Sequence, residues 1–151
     1  MDNREKADVE QLLRDGHAVQ LPPRGWSMYP LIVQGRDSVV IEPVEVRSLR
    51  RGDVILYRRD GGPLVLHRIC RIVPEGYFTV GDNQRQIEGP LRPDQIRGRM
   101  SAVIRNGRTV PVESAAYRVL TGIWLFLRPL RPTISRCAHA LKCFWVGLRR
   151  R

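Results

Sequence analysis

Asp53-Val54-Ile55-Leu56-Tyr57-Arg58 leads through Asp60-Gly61-Gly62 into Pro63-Leu64-Val65-Leu66-His67-Arg68-Ile69-Cys70-Arg71-Ile72-Val73. Two runs rich in Val, Ile, Leu and Tyr, joined by an Asp-Gly-Gly turn, read as a β-hairpin. Outward from it the same pattern repeats. Residues 38–44, 77–80, 98–106 and 108–112 are short apolar runs bounded by Gly, Pro or Asp, and Asn106-Gly107 closes a second hairpin. Residues 17–23 alternate before ending at Pro22-Pro23. The stretch 17–112 is therefore expected to be a mostly antiparallel β domain.

The flanks have a different period. Residues 4–15 place Val9, Leu12 and Leu13 on one stripe ahead of Gly16, the pattern of a short amphipathic helix. Residues 114–128 and 133–150 also read as helices, separated by Arg128-Pro129-Leu130-Arg131-Pro132. The expected organisation is an N-terminal helix in 1–16, the β domain in 17–112 and basic amphipathic helices in 113–151.

The 151 residues suffice for one domain with its own core, and an apolar content of 42% favours folding over disorder. A formal net charge of +11 calls for an anionic partner. Nucleic acid is disfavoured, because no aromatic-plus-basic strand motif and no zinc finger occurs. The C-terminal aromatics stand among Leu, Ile and Arg instead, a composition suited to an anionic membrane surface. Cys70, Cys137 and Cys143 are odd in number and form no Cys-x-x-Cys pair, so neither a disulfide framework nor a structural metal site is expected, and no cofactor is implied. The charged first 15 residues do not resemble a cleavable signal, and no apolar run approaches the ~20 residues of a membrane span. A cytoplasmic or peripheral membrane location is the expectation.

Three short motifs carry candidate chemistry: Gly25-Trp26-Ser27-Met28-Tyr29-Pro30, His67-Arg68-Ile69 and Gly81-Asp82-Asn83. A serine hydroxyl needs an adjacent base to become a nucleophile, and a histidine base needs an acceptor that fixes its tautomer. Ser27, His67 and Asp82 supply those groups from three separate segments. Gly25 permits a tight backbone beside the nucleophile, which would leave N–H groups for an oxyanion hole.

In order along residues 20–105, with Arg51-Gly52-Asp53-Val54-Ile55-Leu56-Tyr57 between the first two motifs, this set resembles the type I signal peptidase family and its LexA-type relatives. Histidine where bacterial members carry lysine is similar to the endoplasmic-reticulum and archaeal type. The resemblance implies a mostly-β peptidase fold with Ser27 as nucleophile and His67 as general base. Asp82, or the second acidic position near Glu88, would orient the histidine, with Asp82 the first choice. Met28 would shape the site beside the serine. It further implies a signal or leader peptide, bound as an extended strand and cut after small residues. Signal peptidases usually carry an N-terminal membrane anchor, which residues 1–16 do not resemble. Membrane contact would then fall to the C-terminal helices. The alternatives are an inactive member of the family or a basic protein binding membrane surfaces. A LexA-type self-cleaving regulator fits less well, since too little chain precedes residue 20 for a helix-turn-helix.

Overall fold

A computed structural model describes residues 3–127, with side chains from residue 9 onward. After helix α1 (Asn3–Arg14) come eight strands: β1 (Val19–Leu21), β2 (Asp37–Glu42), β3 (Val54–Arg58), β4 (Leu64–Val73), β5 (Gly76–Val80), β6 (Ile87–Leu91), β7 (Ile96–Arg105) and β8 (Arg108–Pro111); helix α2 (Ala115–Phe126) follows. The strands form one antiparallel sheet in the order β1-β2-β7-β3-β4-β5-β6, with β8 also paired to β7. The ten-residue β7 has β2 along one edge, and it pairs with β3 at Ile96–Arg99 and with β8 at Ala102–Arg105. The mostly-β fold with helices at either end is the one expected from the sequence.

Turn chemistry fixes the registers. Asp60-Gly61-Gly62 joins β3 to β4 so that Arg58 faces Leu64 and Ile55 faces His67. Asn106 and Gly107, at φ 51° and 73°, reverse the chain between β7 and β8, the left-handed pair that suits the twist of a two-residue hairpin. The unbroken apolar run of β3 reflects burial on both faces. Val54 and Leu56 pack with Val9, Leu13, Ile41 and Met100, whereas Ile55 and Tyr57 pack with Leu49, Ile69, Leu91 and Ile96. α1 is pinned to the sheet by charge as well as by Val9 and Leu13. Glu10 accepts from Arg58 at 2.7 and 2.8 Å and from Arg97 at 2.6 Å. The Arg58 guanidinium, against the opposing cost of burial and with help from Arg97, holds the Glu10 carboxyl down to about 2.

One strand was not expected. β6 contains Glu88-Gly89-Pro90, which reads as a turn, yet it pairs with β5 at the sheet's edge. There a proline's missing N–H costs no ladder bond. α2 starts at Ser114, whose Oγ accepts from the Tyr117 N–H at 3.3 Å, an N-cap. The expected helix over 133–150, together with Cys137 and Cys143, lies outside the described residues. No described helix is long and apolar enough to cross a membrane.

Candidate active site

Ser27 sits in the turn between β1 and β2, half-buried, with Met28 and Ile32 beneath it in the core. Gly25 adopts φ 79°, where a side chain would be strained, and its N–H donates to the Gln34 side chain. From the other side the turn is held by the segment after β5: Asn83 N–H donates to Ser27 O at 2.7 Å. A Cβ on Gly81 would fall 2.6 Å from that same carbonyl oxygen, so glycine is needed for the close approach. Among the described residues, neither the Ser27 N–H nor Ser27 Oγ has a hydrogen-bond partner. A free hydroxyl beside a free N–H is what a nucleophile and an oxyanion donor require.

His67 belongs to β4 and is 2% exposed. Register decides what it meets. Ile55 faces His67 and Tyr57 faces Val65, so Tyr57 and His67 share one face of the hairpin. Ile69 faces Thr79 and Thr79 faces Glu88, which extends that face across β5 and β6. On it, Tyr57 Oη lies 3.2 Å from His67 Nδ1 and donates to Glu88 Oε2 at 2.7 Å. Glu88 Oε1 is 3.8 Å from His67 Nδ1, and Arg59 clamps the outer side of the same carboxylate. Burial pushes the His67 imidazole below its ordinary value, Glu88 and the more weakly felt Asp82 oppose the shift, and Arg59 assists it. The ring is therefore neutral near pH 7, as a general base must be. Burial alone would raise the Glu88 carboxyl; the Arg59 guanidinium and Tyr57 hydroxyl outweigh it and hold Glu88 ionised.

Asp82 meets a different partner. Arg68 follows His67, so the pleat sends the two side chains to opposite faces. Arg68 is 1% exposed and Asp82 fully enclosed, and they form a bidentate pair with both N···O distances 2.8 Å. Arg68 also donates to Gly52 O at 2.8 Å and to Tyr117 Oη at 3.4 Å, while Trp124 Nε1 donates to Asp82 O at 3.0 Å. Asp82 thus ties β4, the 81–83 turn and α2 together, next to the Asn83 N–H that holds the Ser27 carbonyl. Among the described residues, the carboxylate that comes within 4 Å of the His67 ring is that of Glu88.

Ser27 and His67 line one open cleft of about 230 Å³, whose walls include Pro23, Arg24, Met28 and Leu66. β5 begins to pair with β4 only at Arg68, so residues 64–67 have β3 on one side and the cleft on the other. A smaller apolar pocket of about 120 Å³ adjoins it, sharing Pro23, Arg24, Leu64 and Leu66. Among the described residues no group of three or more His, Cys, Asp or Glu side chains could hold a metal ion.

The chain is similar to signal peptidase I W of Bacillus subtilis. The two are 33% identical over an alignment of 76 residues that covers 47% of this chain and 40% of the relative. The chain thus matches less than half of that relative's length, and the likeness supports a signal-peptidase relationship without carrying over the relative's activity. No protein-family model matches, and no solved structure does.

Tyr57 and Arg68 belong to the sequence motifs without a role assigned to either, and Arg59 belongs to none of them. The signal for Tyr57 was present. Counting back from the Asp60-Gly61-Gly62 turn sets the hairpin register, and the register puts Tyr57 on the histidine's face.

Proposed function

We propose that the protein is a serine endopeptidase of the signal-peptidase type, with histidine as the base. The observation that carries this reading is that Ser27 and His67, forty residues apart, line the same cleft along residues 64–67 of β4, which pair with β3 on one edge and with no strand on the other. An extended peptide would lie along residues 64–67 as an added strand. The adjoining pocket of about 120 Å³ suits a small side chain such as alanine before the cut. Ser27 Oγ attacks the peptide carbonyl while His67 Nε2 takes its proton. The Ser27 N–H stabilises the oxyanion. The imidazolium then protonates the leaving amine, and water, activated by the same nitrogen, releases the acyl group.

The test is cleavage of leader-type peptides bearing Ala-x-Ala, followed against pH. Activity needs neutral His67, whose pKa is lowered from 6.5. The profile of kcat/KM should therefore rise with pH at a midpoint below 6.5 and be flat by neutrality. A midpoint well above 6.5, or cleavage that survives His67→Ala, would contradict the reading.

A second reading concerns where the enzyme works. Tyr117, Thr121 and Trp124 turn one side of α2 to the domain, while Val119, Leu120, Ile123 and Phe126 are 53–79% exposed on the other. Arg50, Arg51 and Arg118 line a cleft beside this helix, and Trp26, 61% exposed, adjoins Ser27. Aliphatic surface flanked by arginines, on a chain of charge +11, complements an anionic bilayer. Co-sedimentation with phosphatidylglycerol vesicles, lost with phosphatidylcholine, at high salt or in Ile123→Asp/Phe126→Asp, is the expected result. Equal binding by that double variant, or a salt-insensitive dimer instead, would rule it out.

A further inference from the structure

Four groups on four neighbouring strands meet on one face: Tyr57 of β3, His67 of β4, Thr79 of β5 and Glu88 of β6. Glu88 Oε1, at 3.8 Å from His67 Nδ1, is too distant for a hydrogen bond, whereas Tyr57 Oη reaches both partners, at 3.2 and 2.7 Å. We propose that Tyr57 is the positioning residue of the base, a hydroxyl that couples Glu88 to His67 in place of direct contact between carboxylate and imidazole. This deepens the peptidase reading and rests on it.

Donor and acceptor counts give the direction of the chain. A phenol has one O–H. Tyr57 spends it on the ionised Glu88, so its oxygen must accept from His67. The nitrogen facing Tyr57 is then Nδ1–H, and the lone pair is left on Nε2. Thr79 Oγ1 also donates to Tyr57 Oη, at 3.4 Å, and limits its rotation. Burial raises the Tyr57 phenol far above its ordinary value, with a lowering contribution from Thr79 and a raising one from Glu88. The proton therefore stays on Tyr57 throughout the working pH range. When the imidazolium forms, Glu88 stabilises it through this polarised hydroxyl and, more weakly, through space. Arg59 keeps the carboxylate pointed inward by holding its outer edge. Arg68, on the opposite face, leaves Asp82 to act on the ring only as a distant charge.

The experiment compares wild type, Tyr57→Phe, Glu88→Gln and the double variant for kcat, KM and pH profile on an Ala-x-Ala peptide. Tyr57→Phe keeps the ring that fills the core, and circular dichroism checks its fold. Each single change is expected to lower kcat about 10- to 100-fold, less than the ~10⁴ lost when a triad carboxylate is neutralised, with KM nearly constant. Each should also move the acidic midpoint lower, because the imidazolium loses support. The double variant should be no worse than the weaker single, since both break one chain. A Tyr57→Phe enzyme with wild-type kcat and midpoint, or additive losses in the double variant, overturns the proposal and leaves Ser27 and His67 in place. Failure of the peptidase reading looks different: no cleavage by wild type itself. Nitrogen-15 NMR of wild-type His67 above its midpoint gives a check free of mutation. Nδ1 protonated and Nε2 bare is the expected tautomer, and the reverse contradicts it.

Discussion

Ser27→Ala should leave the fold unchanged and reduce peptide cleavage by roughly 10³-fold or more, down to what binding and oxyanion donors supply without a nucleophile. The fold should survive because Ser27 Oγ holds nothing together. The turn is kept in place by main-chain groups: Ser27 O accepts from Asn83 N–H at 2.7 Å, and Ile32 N–H donates to Met28 O at 2.9 Å. Met28, 4% exposed, anchors it in the core. Equal cleavage by Ser27→Ala and wild type, in protein of unchanged thermal stability, would remove this serine from the reaction and favour a binding protein over an enzyme.

Asp82→Ala should act in the opposite manner, on the fold before the chemistry. It leaves the Arg68 guanidinium, 1% exposed, without the carboxylate that binds both its nitrogens at 2.8 Å. Removing one partner of a buried ion pair costs about 3–5 kcal/mol, a large part of the 5–15 kcal/mol that holds a typical domain together. Urea unfolding should show that loss. Glu88→Gln should cost much less, because its side chain is 21% exposed and its partner Arg59 reaches water. The damage from Asp82→Ala should also reach Ser27, because Gly81 and Asn83 on either side of Asp82 pack against its carbonyl. An Asp82→Ala protein as stable as wild type, yet inactive, would assign this carboxylate to the reaction and not to the scaffold.

The contrast between Asp82 and Glu88 marks where the sequence stops being informative. The hairpins were legible because their turns carry their own chemistry: Asp60-Gly61-Gly62 and Asn106-Gly107 lie between runs of strand residues. Ser27 and His67 stood out as members of an ordered set of motifs, and the fold brings both to one cleft. The choice between two carboxylates depends on which face of β4 each one reaches. That follows from pairings up to two strands away, and one of those strands, β6, hides behind Gly89-Pro90. Arg68 was legible only as part of a motif. Its burial against Asp82 is a tertiary event, in which the cost of enclosing a charge is met by a partner fourteen residues later. α2 shows the same limit in reverse. Its apolar residues suggested a helix, but only packing reveals that Tyr117, Thr121 and Trp124 turn inward and the aliphatic residues outward.

The central claim is that Ser27 is a nucleophile activated by His67, and the most direct measurement is covalent trapping. The protein, with and without phosphatidylglycerol vesicles, is treated with a peptidyl serine-reactive inhibitor ending in Ala-x-Ala and weighed intact by mass spectrometry. Wild type should gain the mass of one inhibitor on Ser27, Ser27→Ala should gain none, and His67→Ala should label far more slowly. Equal labelling of all three, or folded wild type that stays unlabelled under both conditions, would contradict the account.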